Sequence, residues 1–221
     1  MATSRTFPPE TEDELSAWLR RFFETGEIHP EGMDRDDRTT TDRVRTLLRD
    51  PEFKTRVALL MPGFLKEWNE ATTSETTERL CYTAGYSHHP DNIALLLSMY
   101  QRSRHDTEII MRCLGGYHKA PQLHEIYLQE LRAKRSIPIS MICMRALCIC
   151  WPQMAANEFK EFLDFVNIET VAQAKMISSM VRGIPLIELD KFLAVTTSAD
   201  ARVRNALDRY PLSLGVTRAR T

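Results

Sequence analysis

Two stretches that lie 31 residues apart, AGYSHHPDN (Ala84–Asn92) and GGYHKAPQL (Gly115–Leu123), decide the fold class. Both carry a glycine, a tyrosine and a proline at the same places, whereas the two histidines of the first stretch do not return in the second. Glycine is suited to end a helix and proline to begin one, with the tyrosine packed over the joint. The pattern therefore predicts the turn of a repeating helical unit and not a histidine site. The recurring residues are Gly85, Tyr86 and Pro90, then Gly116, Tyr117 and Pro121.

From Ser74 onward the whole chain can be divided into units of 31 residues. A fixed period of this size is typical of helical repeat proteins. Each unit opens with a residue that can N-cap a helix, and prolines recur at the expected start of a second helix, although that of the fourth unit comes two residues late. Each unit is thus predicted to be a helical hairpin. The predicted openings are Ser74, Asp106, Ser136, Asn167 and Ser198, and the prolines are Pro90, Pro121, Pro152 and Pro185.

Apolar and small residues also recur with the period. Two apolar columns are one turn apart on the expected core face of the second helices, and a small residue recurs late in the first helices, where another helix can cross closely. No segment alternates apolar and polar residues as a strand does, so the predicted class is all-α. The apolar columns are Leu97, Leu128 and Phe159, and Tyr100, Leu131 and Phe162; the small residues are Ala84, Gly115 and Ala146.

The N-terminal segment predicts a separate amphipathic helix, TEDELSAWLRRFFETG (Thr11–Gly26). Thr11 and Glu14 have the spacing of a capping box, and Gly26 is suited to end the helix. The linker Glu27–Thr41 that follows is nearly devoid of apolar residues. Because the apolar stripe is too large to remain in water, we expect the helix to dock on the chain's own solenoid or on a second copy of the chain, which would form a homodimer. The alternative is that the helix recognises an external groove. The stripe is Leu15, Trp18, Leu19, Phe22 and Phe23.

Four regions follow from these patterns. Residues 1–42 are the acidic helix and linker, 43–73 a divergent first unit or cap, 74–210 the repeats and 211–221 a tail. Within the second region, Pro51 and Pro62 are each predicted to lie in the first turn of a short helix.

The repeat resembles the short HEAT-like repeats of many bacterial proteins. The resemblance covers Ser74 to about Tyr210 and is carried best by SETTERLCYTAGY (Ser74–Tyr86) and SADARVRNALDRY (Ser198–Tyr210). It implies a right-handed α-solenoid of four to five helical hairpins whose second helices line the concave side. Extended curved surfaces of this kind bind other proteins.

Composition excludes some functions. The formal net charge of -1 argues against general nucleic-acid binding. No apolar run has the length of a membrane span and the N-terminus does not resemble a signal peptide, so we expect a cytoplasmic protein without membrane insertion. The five cysteines lie in or beside apolar stretches, and we expect them to be reduced, buried and structural.

No catalytic constellation is visible. HEAT-like di-iron enzymes carry repeated His-Glu pairs, whereas this chain has a single pair, His124–Glu125, so we expect His124 to be partly buried and hydrogen-bonded. We expect no catalytic, cofactor-binding or metal-binding residues. The predicted function is that of a protein-binding adaptor, assembly factor or chaperone-like scaffold. The alternative is a HEAT-like enzyme or lyase that binds a small ligand or cofactor in the groove.

The predicted partner surface consists of polar positions that alternate with the apolar stripe of the second helices. They are Asp91, Ser98, Gln101, Gln122, Gln129, Arg132, Gln153 and Lys160. Cations near the ends of two second helices have two interpretations: they complement the helix dipoles, or they form a basic ridge for a partner with an acidic segment. These cations are Arg102, Arg104, Arg132, Lys134 and Arg135.

Overall fold

The computed structural model describes residues 9–27, 45, 48–117 and 120–211. All regular secondary structure in these ranges is helical, which confirms the all-α class. The chain divides into two compact units, Met1–Tyr117 and His118–Thr221. The predicted linker from position 28 and the predicted tail from position 212 lie outside the described residues.

Five α-helices and one short 3-10 turn are described in the first unit. Helix α3 packs against α1, α2 and α5, and α4 packs against α2, α3 and α5. The helices are α1 (Glu12–Thr25), α2 (Pro51–Glu67), α3 (Ser74–Ser87), α4 (Asp91–Arg102) and α5 (Thr107–Leu114), and the 3-10 turn is Gly115–Tyr117.

Six α-helices are described in the second unit. Consecutive helices α6 and α7, α7 and α8, and α10 and α11 pack together, and so do the alternate helices α7 and α9, α8 and α10, and α9 and α11. The helices are α6 (Leu123–Ala133), α7 (Ile137–Cys150), α8 (Pro152–Val166), α9 (Thr170–Arg182), α10 (Leu186–Ala199) and α11 (Ala201–Arg209).

Helix α1 docks on its own chain, as predicted, by packing against α2 and α3. Its ends are also as predicted: the Glu14 amide donates to the Thr11 hydroxyl, the Thr11 amide donates to the Glu14 carboxylate, and Gly26 ends the helix with a φ of 77°. Trp18 is half-buried and lies edge-on to Phe53, with ring centroids 5.9 Å apart. The rest of the predicted stripe, Leu15, Leu19, Phe22 and Phe23, is buried.

The joint after α3 differs from the prediction, because Gly85 does not end this helix. Helix α3 continues to Ser87, and His88 ends it in the left-handed conformation, with its amide 3.3 Å from the Ala84 carbonyl oxygen. Gly85 serves a different purpose: a Cβ there would lie 3.3 Å from the carbonyl oxygen of Cys113, where α5 crosses α3. A close helix crossing therefore explains the glycine.

Tyr117 packs over the joint after α3, whereas the sequence predicts that it packs over the joint of its own unit. It is buried, and its hydroxyl donates a hydrogen bond of 2.6 Å to the carbonyl oxygen of Ala84. The equivalent Tyr86 is half-buried, and the Arg45 guanidinium lies over its ring and donates to its hydroxyl. Tyr86 and Tyr117 thus connect α3 to different segments of the chain.

Three of the five predicted unit openings are wrong. Ser74 is the first residue of α3 and follows its N-cap, Ser198 lies inside α10, and Asn167 ends α8. Thr73 is the N-cap of α3 and Asp200 the N-cap of α11, because the side-chain oxygen of each accepts a hydrogen bond from an amide of the first helical turn. The true N-caps are Thr73, Glu169 and Asp200, whereas Asp106 and Ser136 are N-caps as predicted.

The prediction that Pro62 begins a helix is also wrong. It lies inside α2, a single helix of 17 residues that begins at Pro51 as predicted. A proline inside a helix removes one backbone hydrogen bond. Burial of Phe53, Val57, Met61, Phe64 and Leu65 along one face of α2 explains why the helix continues nevertheless.

The residues of the two predicted apolar columns are buried in the second unit, but only half-buried in the first. Leu128, Leu131, Phe159 and Phe162 are buried as predicted. In α4, Leu97 and Tyr100 are only half-buried. The core there is built from Ile93, Leu96 and Met99, which face the neighbouring α2, α3 and α5.

Candidate protein-binding surfaces

All eight residues of the predicted partner surface are exposed. Their contact with a partner remains a prediction. In the first unit, three lie on α4: Asp91, Ser98 and Gln101. In the second unit, five lie on or next to α6 and α8: Gln122, Gln129, Arg132, Gln153 and Lys160.

Ion pairs join the outer sides of α6 and α8. The Arg132 guanidinium donates to Glu158 with a nitrogen–oxygen distance of 2.5 Å, and Lys134 Nζ lies 3.4 Å from Glu161. The hydrogen bond with Glu158 raises the pKa of Arg132. Gln153 extends the connection by donating to Glu188 of α10 at 3.2 Å. Side-chain contacts therefore link the exposed sides of α6, α8 and α10, which we call the α6–α8–α10 face.

The charges of this face are largely neutralised within the chain. Lys160 pairs with Asp164 at 2.9 Å and Lys191 lies 4.0 Å from Glu188. Among the described residues, the side-chain amides of Gln122 and Gln129 have no hydrogen-bond partner. A side-chain amide both donates and accepts, so these two groups are available to an incoming polar surface.

The predicted basic ridge is mostly engaged by the chain itself. In the first unit, the Arg102 guanidinium lies 5.4 Å above the ring of Trp68. In the second unit, Arg135 lies 4.0 Å from Glu130, besides the pairs of Arg132 and Lys134. Arg104 is exposed. Side-chain contacts within the chain therefore engage four of these five cations, and both interpretations of the cations remain predictions.

A second ion-pair network joins α8 to α11. The Arg202 guanidinium lies 2.5 Å from both Asp164 and Asp200. Hydrogen bonding lowers the pKa of Asp164, through Lys160 first and Arg202 second, and Arg202 lowers the pKa of Asp200. The Asp200 side chain is only 8% exposed, so this pair is better shielded from solvent than the others on the surface.

His124 is partly buried and hydrogen-bonded, as predicted. Its side chain is 26% exposed and Nε2 lies 3.1 Å from the Glu125 carboxylate, while Nδ1 contacts the Pro121 carbonyl oxygen. The ring packs against Trp151 at 5.7 Å. Within the ranges that the structure describes, no group of three His, Cys, Asp or Glu residues is placed to hold a metal ion.

Four of the five cysteines are buried as the sequence predicts. Cys81, Cys113, Cys143 and Cys148 are buried, and Cys150 is half-buried. Burial raises the pKa of Cys148 to about 12 and raises that of Cys143 as well. The pKa of Cys81 is raised by its hydrogen bond with Cys113 and then by burial. Thiols with raised pKa values react slowly, which agrees with a structural role.

Two features were missed at the sequence level. Leu186 and Ile187, at the start of α10, are 73% and 83% exposed. The sequence did not reveal this exposure, because two adjacent apolar residues can both be buried on one helix face, as Phe22 and Phe23 are. The second feature is a set of buried side-chain oxygens without partners in the described residues of the α6–α7 hairpin, on Tyr127, Glu130 and Ser140. No pattern in the sequence predicts it.

Comparison of the chain with protein-family models, with curated proteins and with solved structures finds no match. None of the described helices is both long enough and apolar enough to span a membrane.

Proposed function

We propose that the chain is a right-handed α-solenoid of four to five helical hairpins that binds another protein as an adaptor, assembly factor or chaperone-like scaffold. The binding surface of this proposal is the α6–α8–α10 face. Residues Asp91, Ser98 and Gln101 of α4 are proposed to add contacts of the same kind.

The packing of alternate helices supports the solenoid. In the second unit, α7 contacts α9, α9 contacts α11, and α8 contacts α10. In the first unit, α3 contacts α5 and α2 contacts α4. First helices therefore neighbour first helices and second helices neighbour second helices, as expected when hairpins stack.

The observation that carries the binding proposal is the chemistry of the α6–α8–α10 face. Its ion pairs hold cations in fixed positions, and Gln122 and Gln129 present amides that nothing in the described chain satisfies. Exposed apolar side chains at Leu186 and Ile187 adjoin Glu188, which Gln153 contacts. Apolar groups beside fixed polar groups are the usual composition of a protein interface. A partner of mixed character with low net charge fits this face better than a strongly acidic one.

The test introduces charge without breaking an existing ion pair. Gln122→Lys with Gln129→Lys adds two cations to the α6–α8–α10 face, and both positions are exposed. The matched control, Ser179→Lys with Asn205→Lys, adds the same charge at exposed positions on α9 and α11. Tagged wild-type and variant proteins are expressed in the native host, and proteins that co-purify are quantified by mass spectrometry.

We expect a partner protein to co-purify in near-stoichiometric amount with the wild type and with the control variant. The amount of this partner is expected to be at least tenfold lower with the α6–α8–α10 variant. Equal recovery with both variants would show that this face does not bind the partner. Thermal melts of both variants accompany the assay, since substitutions at exposed positions away from special features usually change the unfolding free energy by about 0.5 kcal/mol or less.

A further inference from the structure

The groove between α2 and α3 in the first unit holds an amphipathic helix, α1. Leu15, Leu19 and Phe22 of α1 are 1% exposed or less. Aromatic contacts extend along the groove: Trp18 lies edge-on to Phe53, and Phe23 lies edge-on to Phe64 with ring centroids 5.2 Å apart. The groove therefore accepts a helix whose apolar residues recur at i, i+4, i+7 and i+8.

Two arginines donate hydrogen bonds to the main chain at opposite ends of α1. At the start, Arg56 of α2 donates to the carbonyl oxygens of Pro9, Glu10 and Thr11 at 2.8 to 3.2 Å. Since these are carbonyl groups, Arg56 contacts no feature that is specific to one side chain. Any chain that enters the groove along the same path offers it the same acceptors.

At the other end, Arg79 of α3 donates to the carbonyl oxygens of Phe23 and Glu24 at 2.8 and 3.1 Å. These are orphan carbonyls of the last helical turn, where the helix dipole also favours a cation. The αL residue Gly26 fits beneath the guanidinium, because a Cβ there would lie 3.1 Å from Arg79 Nε. The two arginines thus hydrogen-bond the main chain at both ends of α1, and the φ of 77° at Gly26 favours glycine there.

Packing between α1 and the groove is not complete. A cavity of about 10 Å³ remains, lined on one side by Trp18, Leu19 and Phe22 of α1. The other side is lined by Leu48, Phe53, Val57 and Thr83. That volume corresponds to about one water molecule.

We propose that the α2–α3 groove is a helix-acceptor site, that α1 occupies it in cis, and that an amphipathic helix of a partner protein displaces α1. The partner helix has apolar residues at the α1 spacing, acidic residues in its first turn like Glu12, Asp13 and Glu14, and a glycine at its end. This site is separate from the α6–α8–α10 face and does not depend on the function proposed for that face.

Charge complementarity supports this choice of partner. Arg20 of α1 pairs with Glu67 of α2 at 2.8 Å, and the pairing lowers the pKa of Glu67. A partner helix with a cation at that position keeps the pair, whereas one with an acidic residue meets Glu67 as a like charge. The groove thus has two fixed cations for main-chain carbonyls and one fixed anion for a mid-helix cation.

The experiment uses the full chain with a protease site introduced between positions 28 and 44. Cutting there leaves every described residue in place and removes the covalent link, which otherwise gives α1 an effective concentration on the order of millimolar. A fluorescein-labelled peptide with the sequence of residues 9–27 is then titrated into cut and uncut protein. Fluorescence anisotropy measures binding, and native mass spectrometry measures release of the N-terminal fragment.

We expect saturable binding to the cut protein with one-for-one release of the fragment, and at least tenfold weaker apparent binding to the uncut protein. A peptide with Leu19→Asp is expected not to bind, because Leu19 is buried. Removing either Arg56 or Arg79 by substitution with Ala is expected to weaken binding about tenfold, as for a hydrogen bond from a charged donor. Lys66→Ala, which removes an exposed cation from the same helix as Arg56, is expected to leave it unchanged.

Three results would overturn the proposal. If the fragment stays bound to the cut protein and does not exchange with labelled peptide within a day, α1 is a fixed part of the first unit. If the cut protein loses its helical circular dichroism or binds the Leu19→Asp peptide as well as the native one, the groove is not a selective helix acceptor.

Discussion

Replacement of Leu19 by alanine tests how firmly α1 belongs to the core of the first unit. Leu19 is 1% exposed and lies on the side of α1 that meets Phe53 and Val57 around the small cavity. The substitution removes three carbon atoms, each worth about 0.8 kcal/mol when buried, or about 2.4 kcal/mol together. Incomplete collapse of the enlarged cavity raises the expected loss of unfolding free energy to about 3 kcal/mol.

Urea denaturation followed by circular dichroism at 222 nm measures this loss. With a denaturant slope of about 2 kcal/mol per molar urea, the midpoint of the transition that contains the first unit is expected to fall by about 1.5 M. Leu59→Ala is the matched control, since it removes the same atoms from a side chain that is 62% exposed on α2. That control is expected to change the unfolding free energy by less than about 0.5 kcal/mol. Equal midpoints for the two variants would refute the docking of α1 as a source of stability.

Three further predictions concern backbone, thiols and pH. Gly26→Ala is expected to lower the unfolding free energy by about 1 kcal/mol because its φ of 77° disfavours a side chain. Gly63→Ala is expected to raise the unfolding free energy by about 1 kcal/mol because Gly63 lies within a helix and has open space where a Cβ would be. The melting temperatures of the two variants must therefore shift in opposite directions. The four buried thiols are expected to react with a thiol reagent only after addition of urea, and rapid labelling in buffer would contradict their burial. Because their folded-state pKa values are lowered, Asp164 and Asp200 contribute stability that is present above the unfolded value of about 3.9 and is lost as pH falls through the folded-state values. Arg202→Met is therefore expected to lower the urea midpoint at pH 7 and to have less effect at pH 3; an equal effect at both pH values would contradict the ion pairing.

Periodicity predicted the helical class and much of the packing because buried apolar side chains dominate both. Leu128 and Phe159 are one period apart and both are buried. The capping box of Thr11 and Glu14 was predictable for a different reason: it depends only on residues within one helical turn. Both signals are local, or repeat often enough to be read from one sequence.

Helix ends and mid-helix exceptions were not predictable in the same way. The αL end of α3 falls on His88, although Gly85 stands three residues earlier. Tertiary contact decides this, since Gly85 is required where α5 crosses closely and is not free to end the helix. Pro62 likewise stays inside α2 because the buried face of that helix extends beyond it.

The candidate surfaces were predictable in outline only. Exposure of Gln129 and Arg132 follows from their spacing relative to the apolar column. The pairing of Arg132 with Glu158 does not, because it joins residues that are 26 positions apart on different hairpins. The hydrogen bonds from Arg56 and Arg79 to α1 are also long-range contacts. Because their acceptors are main-chain carbonyl oxygens, no side-chain pattern in the sequence predicts them.

Site-specific photocrosslinking tests whether the α6–α8–α10 face binds another protein. A photoreactive phenylalanine analogue is introduced at Gln129, on the α6–α8–α10 face, or at Ser179, an exposed position on α9, and the protein is irradiated in its native host. We expect a discrete crosslinked protein from position 129 and none from position 179. A crosslinked partner from position 179 with none from position 129 would show that the partner binds elsewhere.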